Sequence, residues 1–381
     1  MPNPLGKECG GVDRNVFNMR LMRFRELMAR EELDTFLVAV PENRYYLSGY
    51  EAEDLQLTES SGYLLVGEAK QYLLTDFRYQ EEAAAEAPDF KLVVYREGMD
   101  KELPDLFTSL KTKRVGIEEH FLTHQRFRQV REALKEVNPG GEVVPTEGLA
   151  EELRIVKEPG EVERIREAVS LSEKVLQTVW EALEPGMREK EVAWEVERLT
   201  REAGAQAVSF PPIVASGPNA ALPHAVPTDR VIQRGDAVIL DMGCRLNLYC
   251  SDMTRTWMAD PPPERLKEIY RIVRDAQQAA REAAKPGMET TELDAVARDF
   301  IKKAGYEDHF GHGLGHGVGL AVHEKPGVRK FHPTVIQENM VITIEPGIYL
   351  PGYGGVRLEN MARITTDGCE ILNRLDCVYR W

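Results

Sequence analysis

The chain is poor in cysteine, in positive charge and in long apolar runs, and each shortage excludes something. Five cysteines in 381 residues (Cys9, Cys244, Cys250, Cys369 and Cys377) are odd in number and form no CxxC pair. A disulfide scaffold or a zinc ribbon needs tighter spacing, so free thiols in a reducing cytoplasm are expected. Lysine and arginine total 48 against 63 acidic residues, a formal net charge of −15. Nucleic acid and anionic membrane both require a basic face, so neither is expected as a partner. The longest apolar runs, such as FLVAV at 36–40, are far too short to span a bilayer. The opening MPNPLGKECGG lacks a basic segment followed by an apolar stretch, so no secretory leader is expected.

What is present is the composition of an ordinary globular protein, 43% hydrophobic and 29% charged. At roughly 150 residues per domain the length predicts two domains, with three as the alternative. In residues 1–153, FNMRLMRFRELMAREEL and HQRFRQVREALKEV have apolar residues at helical spacing. DTFLVAV, GYLLVGEAKQYLLT, FKLVVYRE and RVGIEE read as strands. This is a smaller α/β domain without a catalytic constellation. His120 and His124, four apart, could share a helix face, but no ligand-spaced partner accompanies them. Pro159 and Gly160 interrupt the pattern before a long amphipathic helix, which places the second domain at 154–381.

That second domain repeats itself. EPGMREKEVAWEVERLTREAG at 184–204 and KPGMETTELDAVARDFIKKAG at 285–305 share a Pro-Gly-Met turn, an amphipathic helix and a closing Ala-Gly. Two copies are too few for a solenoid. They predict two half-domains related by an approximate two-fold axis, with a site at their junction. Each half then delivers two carboxylates from strand-like sequence. Asp241 and Asp252 come from AVILDMGCRLNLYCSDMTRTW, Glu345 from MVITIEPGIY and Glu359 from GGVRLENMARIT. Four converging carboxylates would repel strongly unless cations lay among them, and two divalent ions would neutralise them. Oxygen-rich ligation with one imidazole favours Mn²⁺, Co²⁺ or Fe²⁺ and leaves Zn²⁺ open. The competing expectation is pairing with Arg255, Arg357 and Arg363.

GHGLGHGVGLAVHE, residues 311–324, alternates glycine with larger residues from Gly311 to Gly319. Glycine at that density disfavours a helix, and no Gly-Lys-Ser/Thr follows to make a phosphate loop. A strand of period two would put His312, Leu314, His316, Val318 and Leu320 on one face, with bare backbone on the other. Spacing does not decide whether His312 or His316 is a ligand.

The order Asp241, Asp252, His316, Glu345, Glu359, set in these segments, resembles the pita-bread metallopeptidases, which include methionine aminopeptidase, aminopeptidase P and prolidase. ENRYYLSGY in the first domain is similar to the creatinase/prolidase branch. The resemblance implies an α+β fold, a duplicated pita-bread catalytic domain behind a creatinase/prolidase-like domain. It implies a dinuclear site in which Asp241 binds one metal, His316 and Glu345 the other, and Asp252 and Glu359 bridge. The nucleophile would be a metal-bridging hydroxide, with Glu345 shuttling the proton. His224 and His323 would flank the scissile bond and stabilise the oxyanion. Arg357, two residues before Glu359, would fix that carboxylate; Tyr249 and His312 would support. Leu248 stands where many relatives have glycine, and Asn360 where an acid is frequent, so local shape is in question there. The implied substrate is a proline-containing dipeptide or peptide N-terminus, cut before the proline by a homodimer. A creatinase-like hydrolase of another small molecule and a non-catalytic binding module are the alternatives.

Overall fold

β-Branched and aliphatic runs make the strands of the first unit, and the register follows their burial. The computed structural model describes residues 14–54, 56 and 58–375, and the chain divides into units Met1–Leu153 and Arg154–Trp381. In the first unit a six-stranded mixed sheet runs Lys91–Val94, Gln71–Thr75, Tyr63–Gly67, Thr35–Val38, Arg114–Glu118, Glu142–Thr146. Its buried side chains, among them Leu37, Leu65, Leu74, Leu103, Phe107 and Ile117, form one core with the flanking helices. The expected helix at 124–137 is present, capped by Thr123 Oγ1 accepting from Arg126 N–H. His124 opens that helix while His120 lies in the turn before it, 3.5 Å from Glu151. The two histidines therefore share no helix face.

In the second unit the repeat is structural. The Glu189–Glu202 and Thr290–Lys303 helices each have 14 residues. Glu191 accepts from Arg188 N–H and Glu292 from Glu289 N–H, so both helices begin alike. Gly204 and Gly305 follow them at φ +99° and +86°, the left-handed stop that glycine makes without strain. Upstream of each helix a short backbone ladder recurs: Gly186 N–H to Ile232 O with Ile232 N–H to Met187 O, and Gly287 N–H to Ile336 O with Ile336 N–H to Met288 O.

Each half owns a core. Val175, Leu176, Val192 and Val196 pack on Val214, Val238 and Leu240 in the first. Ile269, Tyr270, Val273, Leu293 and Ala297 pack on Ile342, Ile344, Val356 and Ile364 in the second. The sheets are antiparallel. One runs Met253–Met258, Ala237–Met242, Ile213–Ser216; the larger runs Glu324–Val328, Gly315–Gly317, Val341–Ile344, Asn360–Ile364, Cys369–Ile371. Corresponding strand ends carry the four acids. Asp241 lies near the end of Ala237–Met242 and Asp252 just before Met253–Met258, strands that pair with Thr254 opposite Asp241. Glu345 follows Val341–Ile344 and Glu359 precedes Asn360–Ile364, strands that pair with Ile344 opposite Asn360. The fold is mixed α+β with the two half-domains expected from the repeat, the pita-bread arrangement that the family resemblance implies.

Candidate metal centre and active site

The glycine-rich segment departs from a straight nine-residue strand. Only Gly315–Gly317 is strand, and the register slips between His316 and Gly317. The glycines are where other backbone arrives. A Cβ on Gly315 would stand 2.0 Å from Thr343 O, and one on Gly317 2.3 Å from Lys325 O. This close approach seats His316 beside the acids.

The structure chooses between the two histidines. His316 Nε2 lies 3.5 Å from Asp252 Oδ2 and 3.4 Å from Glu345 Oε1. Ligand atoms of Asp252, His316 and Glu359 all fall within 4.8 Å of one another. His316 Nδ1 meets Gly317 O at 3.1 Å, and because a carbonyl only accepts, Nδ1 carries the proton and Nε2 presents a lone pair. His312 serves elsewhere. Its Nδ1 donates to Gly313 O at 2.8 Å, and its Nε2 accepts from the Tyr349 hydroxyl at 2.8 Å. That hydroxyl in turn accepts from Arg357 Nη1 at 2.8 Å.

Arg357 continues the chain, but not to the expected carboxylate. Its Nη2 donates to Asp241 Oδ2 at 2.6 Å, and its Nη1 also reaches Pro223 O at 3.1 Å. Glu359 is held instead by Thr254, whose hydroxyl donates to Oε2 at 2.9 Å and accepts from Arg357 Nε at 3.2 Å. The strand ends at Arg357, so side-chain alternation no longer carries through to Glu359. Thr343 plays the matching part in the second half, accepting from His316 N–H at 3.1 Å and donating to Glu345 Oε1 at 3.4 Å. Thr254 and Tyr349 escaped the sequence reading. The available signal was their place inside the quoted motifs, Thr254 two residues past Asp252 on an alternating strand.

Pairing with arginine does not account for the acids. Arg255 spends its guanidinium on Thr254 O, Glu359 O, Asn360 Oδ1 and Leu375 O. Arg363 goes to Asn339 and Glu370. Only Asp241 has an arginine partner among the described ion pairs. Asp241 Oδ1 and Glu359 Oε1 are buried with no hydrogen-bond partner at all. Burial pushes the Asp252 and Glu345 carboxyls well above the usual range, and Glu359 adds its charge to both. Burial, then Asp241, lifts Glu359 to about 8. Desolvation, then the neighbouring His323, brings His316 down to about 4. A neutral imidazole aimed at crowded, underprotected oxygens is an arrangement completed by cations. The donor set fits divalent metal.

Around this centre, His323 sets its ring against His316, centroids 4.3 Å apart at 62°. Burial and then the charge of His224 hold the His323 imidazole below its ordinary value, so His224 and His323 are electrostatic neighbours. The next residue, Glu324, is pinned by Arg154 and by Lys157 at 3.0 Å. Burial opposes its charge, but those two cations hold its carboxyl at about 2. Tyr249 is drawn to the helical layer, its hydroxyl donating to Glu161 Oε1 at 3.0 Å. Leu248 adopts φ +70° there, a left-handed backbone that glycine takes more easily. Asn360 bonds Arg255 through its oxygen and donates to Gln277 Oε1 at 3.2 Å, a bond an aspartate could not make.

Known proteins match this chain along both of its domains. Residues 163–366 match metallopeptidase family M24, and residues 20–156 match the creatinase/prolidase N-terminal domain. A Pyrococcus furiosus protein named Xaa-Pro dipeptidase is 39% identical over 359 residues, covering 94% of this chain and 98% of that one. The solved Xaa-Pro dipeptidase from Bacillus anthracis superposes with a TM-score of 0.89 at 35% identity, covering 94% and 98%. An X-Pro aminopeptidase from Thermotoga maritima superposes at 0.82 and 35%, covering 93% and 99%. With both domains matched along their length and the donor set in place, the chain belongs to metallopeptidase family M24 and carries a creatinase/prolidase N-terminal domain.

Proposed function

We propose that this peptidase hydrolyses the amide bond before proline, in Xaa-Pro dipeptides first. The carrying observation is the cluster of Asp252, His316 and Glu359, with Glu345 3.4 Å from His316, Asp241 raising the Glu359 carboxyl by its charge, and buried oxygens of Asp241 and Glu359 left unpartnered. Asp241 would hold one ion, His316 and Glu345 the second, with Asp252 and Glu359 shared. Two divalent ions, Mn²⁺ or Co²⁺ by donor type and otherwise Fe²⁺ or Zn²⁺, would supply a water ionised near neutral pH and a Lewis acid for the carbonyl.

The chain's own residues supply the rest. Arg357, tied to Asp241, Tyr349 and Thr254, holds Asp241 in one rotamer. Glu345, oriented by Thr343, takes the proton from the attacking water and delivers it to the leaving proline nitrogen. That nitrogen carries no N–H and needs this proton to depart as an amine. His323, whose imidazole burial and His224 hold below its ordinary value, would donate an N–H to the carbonyl oxygen as negative charge develops, with His224 its neighbour in that task. A reducing cytoplasm suits the free thiols of Cys244, Cys250 and Cys369, and a homodimer is the assembly the family resemblance implies; Cys9 and Cys377 lie outside the described residues. None of the described helices is long and apolar enough to cross a membrane.

The test is to strip metal, restore Mn²⁺, Co²⁺ or Zn²⁺, and assay an Xaa-Pro dipeptide beside an Xaa-Pro-Yaa tripeptide. Metal-dependent cleavage of the dipeptide alone is expected. Preference for the tripeptide would make the protein an aminopeptidase. Cleavage of neither, with two metal equivalents bound, would sink the proline reading.

A further inference from the structure

A second buried carboxylate, outside the metal cluster, has a task that the reaction scheme leaves unassigned. Glu189 is fully buried at the start of its helix. Its Oε1 accepts from Ser216 N–H at 2.7 Å, the Ser216 hydroxyl at 2.7 Å and the Asn219 amide at 3.1 Å. Its Oε2 accepts from Thr228 N–H at 3.0 Å, the Thr228 hydroxyl at 2.6 Å and the same amide at 3.1 Å. One carboxylate thus gathers both ends of residues 216–228. Arg230 reinforces the base of this loop, reaching Ser216 Oγ at 2.6 Å and Asp236 at 2.6 Å.

The loop so closed carries His224. It is tied at its crest as well, because Pro223 O accepts from Arg357 Nη1, and Arg357 holds Asp241. The internal repeat provides a control. Two residues past the repeated methionine, the first half has Glu189 and the second has Thr290. Thr290 makes a single pair of bonds with Thr334, its hydroxyl accepting at 3.2 Å and its N–H donating at 3.0 Å. A helix start of this shape is therefore satisfied by a hydroxyl. The carboxylate, with six hydrogen bonds from five donor groups, is found in the half whose following loop bears an active-site histidine.

We propose that Glu189 is a positioning residue, closing the base of the 216–228 loop so that the His224 imidazole is held beside His323. The inference rests on the function proposed above. A closed base lowers the number of conformations from which the imidazole must be recruited, an effect felt in the chemical step more than in substrate affinity.

The experiment is a double-mutant cycle of Glu189→Gln and His224→Ala in the metal-loaded enzyme, with kcat and KM measured on an Xaa-Pro dipeptide. Glutamine turns an acceptor into a donor facing other donors, so one end of the loop is released. In the His224 background kcat/KM should fall about tenfold to a hundredfold, mostly in kcat, as expected for a displaced catalytic group. In the His224→Ala background the same change should cost under about twofold, because there is no imidazole left to place. Equal losses in both backgrounds would overturn the proposal and leave Glu189 a generally structural residue. Should Glu189→Gln fail to fold, Thr228→Val, which removes one donor and keeps the carboxylate, goes through the same cycle. Amide hydrogen exchange on the metal-free variants gives a readout independent of turnover. Faster exchange confined to 217–228 is expected; unchanged protection there would overturn the clamp. If the wild type cleaves no Xaa-Pro substrate, the functional reading falls alone, and the exchange result still judges Glu189.

Discussion

Metal-ligand chemistry is written at single residues, and here it sets a pH dependence with a definite sign. In the metal-free fold the Glu359 carboxyl stands at about 8 against an ordinary 4.5, with Asp252 and Glu345 also raised, all chiefly by burial. The folded state therefore binds protons that the unfolded chain has released, and this contribution to stability is lost as pH rises through the folded values. His312 and His316, both near 4 against an ordinary 6.5, act in the opposite sense, but only below about 6.5. Between about pH 6.5 and 8 these carboxylates act without that opposition, joined up to about 7 by Glu118, which burial raises in the first unit. The melting temperature of chelator-treated protein should fall across that window and be restored by Mn²⁺. A flat or rising profile without metal would contradict the buried-acid picture. Metal uptake near pH 7 should likewise release protons, readable by calorimetry in buffers of different ionisation enthalpy.

The glycine-rich strand is the element on which the centre depends, and its glycines are not equivalent. Gly315→Ala would drive a methyl against the Thr343 carbonyl, backbone with little room to give. Overpacking of this kind destabilises by about 1–3 kcal/mol, and it should weaken metal binding because His316 is the next residue. Gly311→Ala meets nothing within 4 Å and should change stability by no more than about 0.5 kcal/mol. Urea denaturation of both variants, with metal titration of each, checks the contrast; equal effects would mean the close approach is not what requires glycine at 315. The alternation of residues 311–319 was legible as extended backbone. Its shortening to three residues was not, because Leu314 O is taken by Glu345 N–H and Gly319 O by Cys250 N–H, contacts made by distant chain.

At the scale of the molecule, the two units have separate cores and the donors belong to one of them. A ligand that binds only the native form stabilises the unit that holds it. Scanning calorimetry should therefore show Mn²⁺ raising the transition of residues 154–381 while that of residues 1–153 stays in place. Equal elevation of the whole profile would show that the units unfold as one. Within residues 154–381 the duplicated layout was readable from the Pro-Gly-Met repeats, and the structure repeats the same caps, turns and strand-end acids.

The sequence by itself determined the donor types, their order along the chain, the halving of the second domain and the glycine segment that lets backbone come close. Those are properties of residue identity and local periodicity, which neighbours along the chain enforce. Only the tertiary structure decided that His312 reaches the Tyr349 hydroxyl, that Arg357 holds Asp241 and not Glu359, and that Glu189 closes the loop bearing His224. Each of these joins strands or loops brought together by sheet register across more than twenty residues of chain. Pairing there follows distance in space, to which spacing along the sequence is blind.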